Sequence, residues 1–336
     1  MPRLPLLAVT ALVCASLLAH TVPAAAQPAP AAGPGRTRVG AFVTSLADIS
    51  ETQRRFDITF WVWLLSPGTI GTVNPAMTLE ITNAATVERQ YSVTAETPGG
   101  RTSQVKFRAS VRARFDFRDF PFDHQRLRVN LEDAESDIHA VEFVPDVQAA
   151  GRGALSVSRD LDPQDWAIGR MALTTHTHRE PTTYGDPSTT GYSEYSRVVI
   201  EIDIARRHSM RILVTLLLGT FMSLIVAFFA VLLPIQQSPP RYTLLSGAIF
   251  VCISNRLLVD SRLPGSSTLG LLDQMQLCAI VGLLALTGLS LLLTNLAEKR
   301  VTPARATQLS QRLAFTWIAV VFAVEVLLVL SRRTGA

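Results

Sequence analysis

Asp116-Phe117-Arg118-Asp119-Phe120-Pro121-Phe122-Asp123-His124-Gln125 is the stretch on which the fold of this chain turns. Asp116 and Asp123 carry short carboxylates suited to capping turns, and a proline stands between aromatic residues at the centre, so the stretch reads as a loop. Working outward, Arg126-Leu127-Arg128-Val129-Asn130-Leu131 follows it and alternates polar with apolar side chains. Period two is the signature of a half-buried strand. Upstream, Phe56-Asp57-Ile58-Thr59-Phe60-Trp61-Val62-Trp63 is rich in aromatic and β-branched residues with a period near two. Turn signals such as Pro98-Gly99-Gly100 and Gly185-Asp186-Pro187 separate such segments. No segment between 39 and 206 keeps a helical period for three turns. About 170 residues of this kind fit one all-β, immunoglobulin-like sandwich, expected over 37–206.

Beyond residue 207 the composition changes. The 336-residue chain is 48% hydrophobic and 17% charged, and the apolar excess is concentrated in this second half. Four apolar stretches, about 211–233, 242–259, 270–294 and 313–331, have the length and polarity of membrane spans, the second less clearly than the others. They predict a four-helix transmembrane domain over 207–336. The last stretch contains one acid, Glu325. The N-terminus reads as a secretion signal over 1–26, with Arg3, an apolar run at 4–18 and the small-residue site Ala24-Ala25-Ala26. A Pro/Ala-rich tether, 27–36, follows. An exported sandwich then places the loop between the third and fourth spans inside, where Lys299, Arg300, Arg305 and Arg312 satisfy the positive-inside rule. Arg332 and Arg333 run against it.

The same inventory excludes several functions. The three cysteines are Cys14, Cys252 and Cys278, so the exported domain has no disulfide framework. The net charge of +4 is not gathered with aromatics on one face, and nucleic acid is excluded as a partner. No H-E-x-x-H, G-x-S-x-G or phosphate loop occurs, so neither an enzyme nor a cofactor is expected. His176 and His178 near Glu180 read as a solvated polar hairpin rather than a metal site.

The second span carries Thr243, Gly247, Phe250, Ser254 and Leu257, spaced 4, 3, 4 and 3 apart and therefore on one helical stripe. Repeated around an axis, such a stripe makes polar rings for a hydrated ion and apolar rings that close by dewetting. A buried bundle helix whose hydroxyls bond to backbone carbonyls accounts for it equally well.

The Asp116–Gln125 stretch resembles the signature loop of the pentameric ligand-gated ion channels, the Cys-loop receptor superfamily. Ala113 and Leu127 stand where animal receptors have cysteines, which points to the bacterial branch. The Arg206-Arg207 pair, the run Asn255 to Pro264, and Thr302-Pro303-Ala304-Arg305-Ala306 resemble further family features in the same order. The resemblance implies a homopentamer in the bacterial inner membrane, the sandwich in the periplasm, gated by a small-molecule or proton ligand and passing inorganic ions. It implies a pore lined by the five-residue stripe. It also implies coupling through Asp48, Asp116, Phe120, Pro121, Phe122, Asp123, Arg206 and Pro264. Trp166, Tyr184 and Tyr192 are then candidates for an aromatic box holding a cation or amine. Pro239, Pro240 and Arg241, with no acid between 236 and 243, resemble the inner mouth of anion channels. A non-conducting receptor of the same architecture, signalling through partner proteins, is the alternative.

Overall fold

The computed structural model describes residues 35–67, 74–147, 153–185, 191–262, 269–299 and 302–333. The stretch 1–26 read above as a secretion signal, most of the stretch read as a tether, and Pro264 lie outside the described residues. The first half is a sandwich of two sheets. One sheet has the order β4-β5-β2-β1-β7, with β8 also paired to β1; the other has the order β3-β6-β10-β9. The strands of the first are β1 (Gly35–Ser50), β2 (Arg55–Pro67), β4 (Ala84–Thr97), β5 (Gly100–Arg112), β7 (Val141–Pro145) and β8 (Leu155–Val157). Those of the second are β3 (Leu79–Ile81), β6 (His124–Asp133), β9 (Trp166–Glu180) and β10 (Ser193–Arg206). Strand β1 begins inside the stretch read as tether, because Gly35 and Arg36 pair in parallel with Val141 and Glu142.

The alternation expected from the sequence is what builds the core. Phe56, Ile58, Phe60, Val62 and Leu64 of β2 are all buried, as are Leu127, Val129 and Leu131 of β6 and Val198, Ile200, Ile202 and Ile204 of β10. A strand puts every second side chain on one face, so two such faces close on each other. Burying one such Ile or Phe contributes about 1.5–3 kcal/mol. One glycine is dictated by this packing: a Cβ on Gly40 would lie 2.2 Å from the Trp63 ring. Edge strand β4 is exposed along nearly its whole length and is interrupted by register shifts at Ala84/Thr86 and Arg89/Tyr91. Such irregularities blunt an edge against unintended pairing.

The second half is four long helices: α1 (Ser209–Leu232), α2 (Ser238–Arg262), α3 (Leu271–Lys299) and α4 (Pro303–Arg333). All four are long and apolar enough to cross a membrane. Helix α2 starts earlier than its apolar stretch because Pro239 and Pro240 occupy its first turn, where a missing N–H costs nothing. Trp317 Nε1 donates to Gly282 O at 2.9 Å and fixes α4 against α3. Asn255 Nδ2 donates to Leu216 O and Thr220 Oγ1, tying α2 to α1. Gly219 admits that contact, since a Cβ there would stand 2.6 Å from Asn255 Oδ1.

Candidate functional site

Three places in the fold carry the residues singled out above. The first is a cleft of about 1090 Å³ on the second sheet, beside the segment that joins β9 to β10. Tyr184, Tyr192 and Tyr195 line it together with Glu80, Glu132, Asp133, Glu135, Asp137, Glu180 and Glu194. Seven carboxylates against Arg197 and His139 make the cleft strongly acidic. Behind it, Glu132 pairs with Arg197 and lies 3.0 Å from His178 Nδ1, while His178 Nε2 is 3.4 Å from Glu180. His178, on the β9–β10 hairpin, thus stands between two carboxylates, half-buried and without a hydrogen bond at Nδ1. Partial burial, with Glu132 and Asp133 nearby, holds the Glu80 carboxyl above the ordinary range. Asp133 Oδ1 accepts from the Glu135 and Ser136 amides, which leaves Oδ2 buried without a partner.

The aromatic box is only partly assembled. Tyr184 stacks edge-on with Tyr195 at 6.4 Å, and the Arg179 guanidinium sits 3.9 Å from the Tyr192 ring centroid. Trp166 does not join them. It opens β9 at the end opposite Tyr184, is 5% exposed, and packs in the sandwich core with Arg206 at 4.4 Å from its ring centroid. The pairing Arg206↔Trp166 across β9 and β10 places it there, a register that local sequence does not reveal.

The second place is the junction between sandwich and bundle. Gln125 closes the Asp116–Gln125 loop on itself: it accepts from the Asp116 amide at 2.9 Å, and donates to Asp116 O at 2.7 Å and to Asp123 Oδ2 at 2.5 Å. Asp116 Oδ1 accepts from the Arg118 amide, the turn-capping role, and the Arg118 side chain holds its carboxyl below the ordinary range. Asp123, almost fully buried, accepts from Arg206 Nε at 2.7 Å. Arg206 Nη2 reaches Glu51 on the turn after β1, and its guanidinium lies between Trp166 and Phe120, at 4.4 and 4.5 Å from their ring centroids. Glu51, not Asp48, is therefore the first-hairpin acid that meets Arg206. Asp48 is exposed, with a left-handed φ of 47°.

The loop also seats itself on the bundle. Phe117 and Phe120 pack with Leu213, Leu217, Val259, Leu271, Leu272 and Met275. The Leu271 amide donates to Arg118 O at 2.9 Å, and Arg332 Nη1 bonds to Asp119 Oδ1 at 2.9 Å. Contact with Asp119 gives Arg332 a local reason to stand where the charge rule disfavours it. Pro121 is buried and Phe122 half-buried beside this contact.

The third place is α2. Leu245, Ala248, Cys252, Asn255 and Val259 form its buried stripe, and Thr243, Gly247, Phe250, Ser254 and Leu257 are all exposed on the other side. Phe250 is 72% exposed, the most of any large apolar side chain in the described residues. Pro239 and Pro240 are exposed in the first turn of α2, but Arg241 is not. It stands four residues before Leu245, on the buried stripe. Its guanidinium donates to Ser290 Oγ at 2.7 Å, to Leu233 O at 3.1 Å and to Ser310 Oγ, joining α2 to α1, α3 and α4. The expected ring of arginines around an inner mouth is thereby corrected: Arg241 is a pin inside the bundle.

Comparison with models of protein families and with curated proteins finds no match for this chain.

Proposed function

We propose that the chain is one subunit of a ligand-gated ion channel, assembled as a homopentamer with the sandwich in the periplasm and the helices in the bacterial inner membrane. The observation that carries this reading is the two-faced character of α2. One stripe packs into the subunit; the opposite stripe is left bare, free of charge, and mixes hydroxyls with Phe250 and Leu257. Thr243 bonds back to the Pro239 carbonyl at 3.0 Å, yet hydroxyls on the same bare face as Phe250 and Leu257 suit a hydrated path once the face is repeated around an axis. Around an axis, Thr243 and Ser254 supply polar rings and Phe250 the apolar constriction.

Ligand enters the acidic cleft, whose tyrosines and unpaired carboxylates suit a cationic, amine-bearing molecule. Changes in the packing of that sheet reach Arg206 along β10, and Asp123, Glu51 and the Phe117–Phe120 contact pass them to α1 and α3. A rearranged ion pair at such a junction biases a two-state element. With Arg241 turned inward, anion preference loses its basis. Asp260, three residues beyond Leu257, is half-exposed and 3.7 Å from Arg256.

Recording from the purified chain in planar bilayers tests the proposal. Stepwise currents that a small amine alters support it. Specific amine binding with electrically silent bilayers would favour the non-conducting receptor.

A further inference from the structure

Helix α4 buries a single narrow stripe: Ala306, Ser310, Ala314, Val321 and Glu325. An acid closes a stripe that is otherwise small or apolar. Glu325 is 5% exposed and its Oε1 has no partner. On α3, Gln276 is fully buried, and both its amide oxygen and its amide nitrogen are without partners.

These orphaned groups lie at one depth. The Trp317–Gly282 hydrogen bond sets the register of α4 against α3. Glu325 is eight residues outward from Trp317, about 12 Å, and Gln276 is six outward from Gly282, about 9 Å, at the usual rise per residue. Packed helices lie about 8–10 Å apart, so the two side chains share this level of the bundle, and they are not bonded to each other in the structure. The Arg256–Asp273 pair, at 2.9 Å, places Cys252 of α2 within about a turn of the same level.

Among the described residues, no ion pair is made to Glu325. Helix α1 brings the hydroxyls of Thr220 and Ser223, in reach of the Cys252 thiol, and α2 brings Cys252 itself. Helix α3 brings Gln276 and Cys278, the latter within electrostatic reach of Glu325. Arg256, one turn beyond Cys252 on α2, is held by Asp273 and Asp260. Arg332 on α4 itself is taken by Asp119. A carboxylate in lipid without a cation is costly, and an acid inside a membrane bundle marks a functional site by default.

We propose that Glu325 is a proton-binding site inside the bundle, read by Gln276. With the proton on, the carboxyl O–H donates to the Gln276 amide oxygen. When the proton leaves to the outer aqueous phase, the amide turns over and its N–H donates to the carboxylate instead; an amide offers both roles. The charged form loosens the outer end of α4, and the Arg332–Asp119 bond carries that change to the Asp116–Gln125 loop. The site stands whether or not the bundle conducts.

Infrared difference spectra of the full-length protein in lipid, titrated between about pH 5 and about pH 9, test it. The expected result is a protonated-carboxyl C=O band that disappears as pH rises, is lost in Glu325→Gln, and shifts in frequency in Gln276→Met. Glu325→Gln is isosteric with the protonated acid and keeps the fold. The proposal is overturned if the band persists in Glu325→Gln, if it is present in the wild type but does not titrate, or if no such band appears.

Discussion

Replacing Arg241 by lysine separates two roles that charge alone cannot distinguish. A ring of charges at a pore mouth would feel little difference, because lysine keeps the positive charge. A pin inside the bundle depends on the planar fork. The guanidinium makes three hydrogen bonds, to Ser290 on α3, Ser310 on α4 and the carbonyl of Leu233, the residue that caps α1. An ammonium on a flexible stem reaches one of these well and retains, at best, a strained second. Hydrogen bonds involving a charged group contribute about 1.5–3 kcal/mol each, so losing one to two of them costs about 2–5 kcal/mol per subunit. Arg241→Lys is therefore expected to lower the temperature at which the detergent-solubilised protein loses its assembled form, while Arg241→Gln leaves ion selectivity as in the wild type. Heating followed by size-exclusion chromatography reads the first effect, and reversal potentials under a salt gradient read the second. An Arg241→Lys protein as heat-resistant as the wild type, or an Arg241→Gln pore with altered selectivity, would refute the burial argument.

Other expectations follow from the same structure. Phe250→Ala removes the largest side chain of the bare stripe, and resting leak should rise; equal leak in mutant and wild type would move the constriction elsewhere. Asp123→Asn leaves Arg206 with Glu51 as its remaining carboxylate, and breaking a buried pair costs up to about 3–5 kcal/mol, here lessened by Glu51. Amine binding should survive in that variant while current falls; loss of assembly would instead make the junction purely structural. Because its folded-state titration is raised, Glu80 remains partly neutral where an ordinary glutamate is charged. Its contribution to sandwich stability is thus present at low pH and lost as pH rises through the raised value. Binding of a diamine, followed by calorimetry, should strengthen over that same rise in the wild type and less so in Glu80→Gln. Identical pH profiles for the two would remove Glu80 from the cleft's charge balance.

What could be read in the sequence follows local periodicity. The sandwich was legible because β2 and β6 alternate, and alternation needs no knowledge of partners. The bare stripe of α2 was legible for the same reason at helical spacing, though its direction was not. The error over Arg241 was itself avoidable from spacing. Two residues separate it from Thr243, a rotation of about 200°, which puts the two on opposite faces. Residues joined only by long-range register were hidden. Trp166 was drawn to the ligand cleft by its neighbourhood in the chain, whereas pairing with Arg206 across β9 and β10 places it at the junction. Arg332 and Asp119 are 213 positions apart, and nothing local to either announces their bond. Glu51 lies three residues from Asp48, on a turn whose geometry decides which of the two reaches Arg206.

The central claim is that the bare face of α2 surrounds a path for ions. Ser254→Cys introduces a thiol on that face, and a charged, thiol-specific reagent can then be added during single-channel recording from the purified protein. The account predicts stepwise currents that fall irreversibly when the reagent meets Ser254→Cys and persist in the wild type, whose free thiols among the described residues are the buried Cys252 and the half-buried Cys278 on α3, off the bare face of α2. Currents that ignore the modified thiol would contradict it.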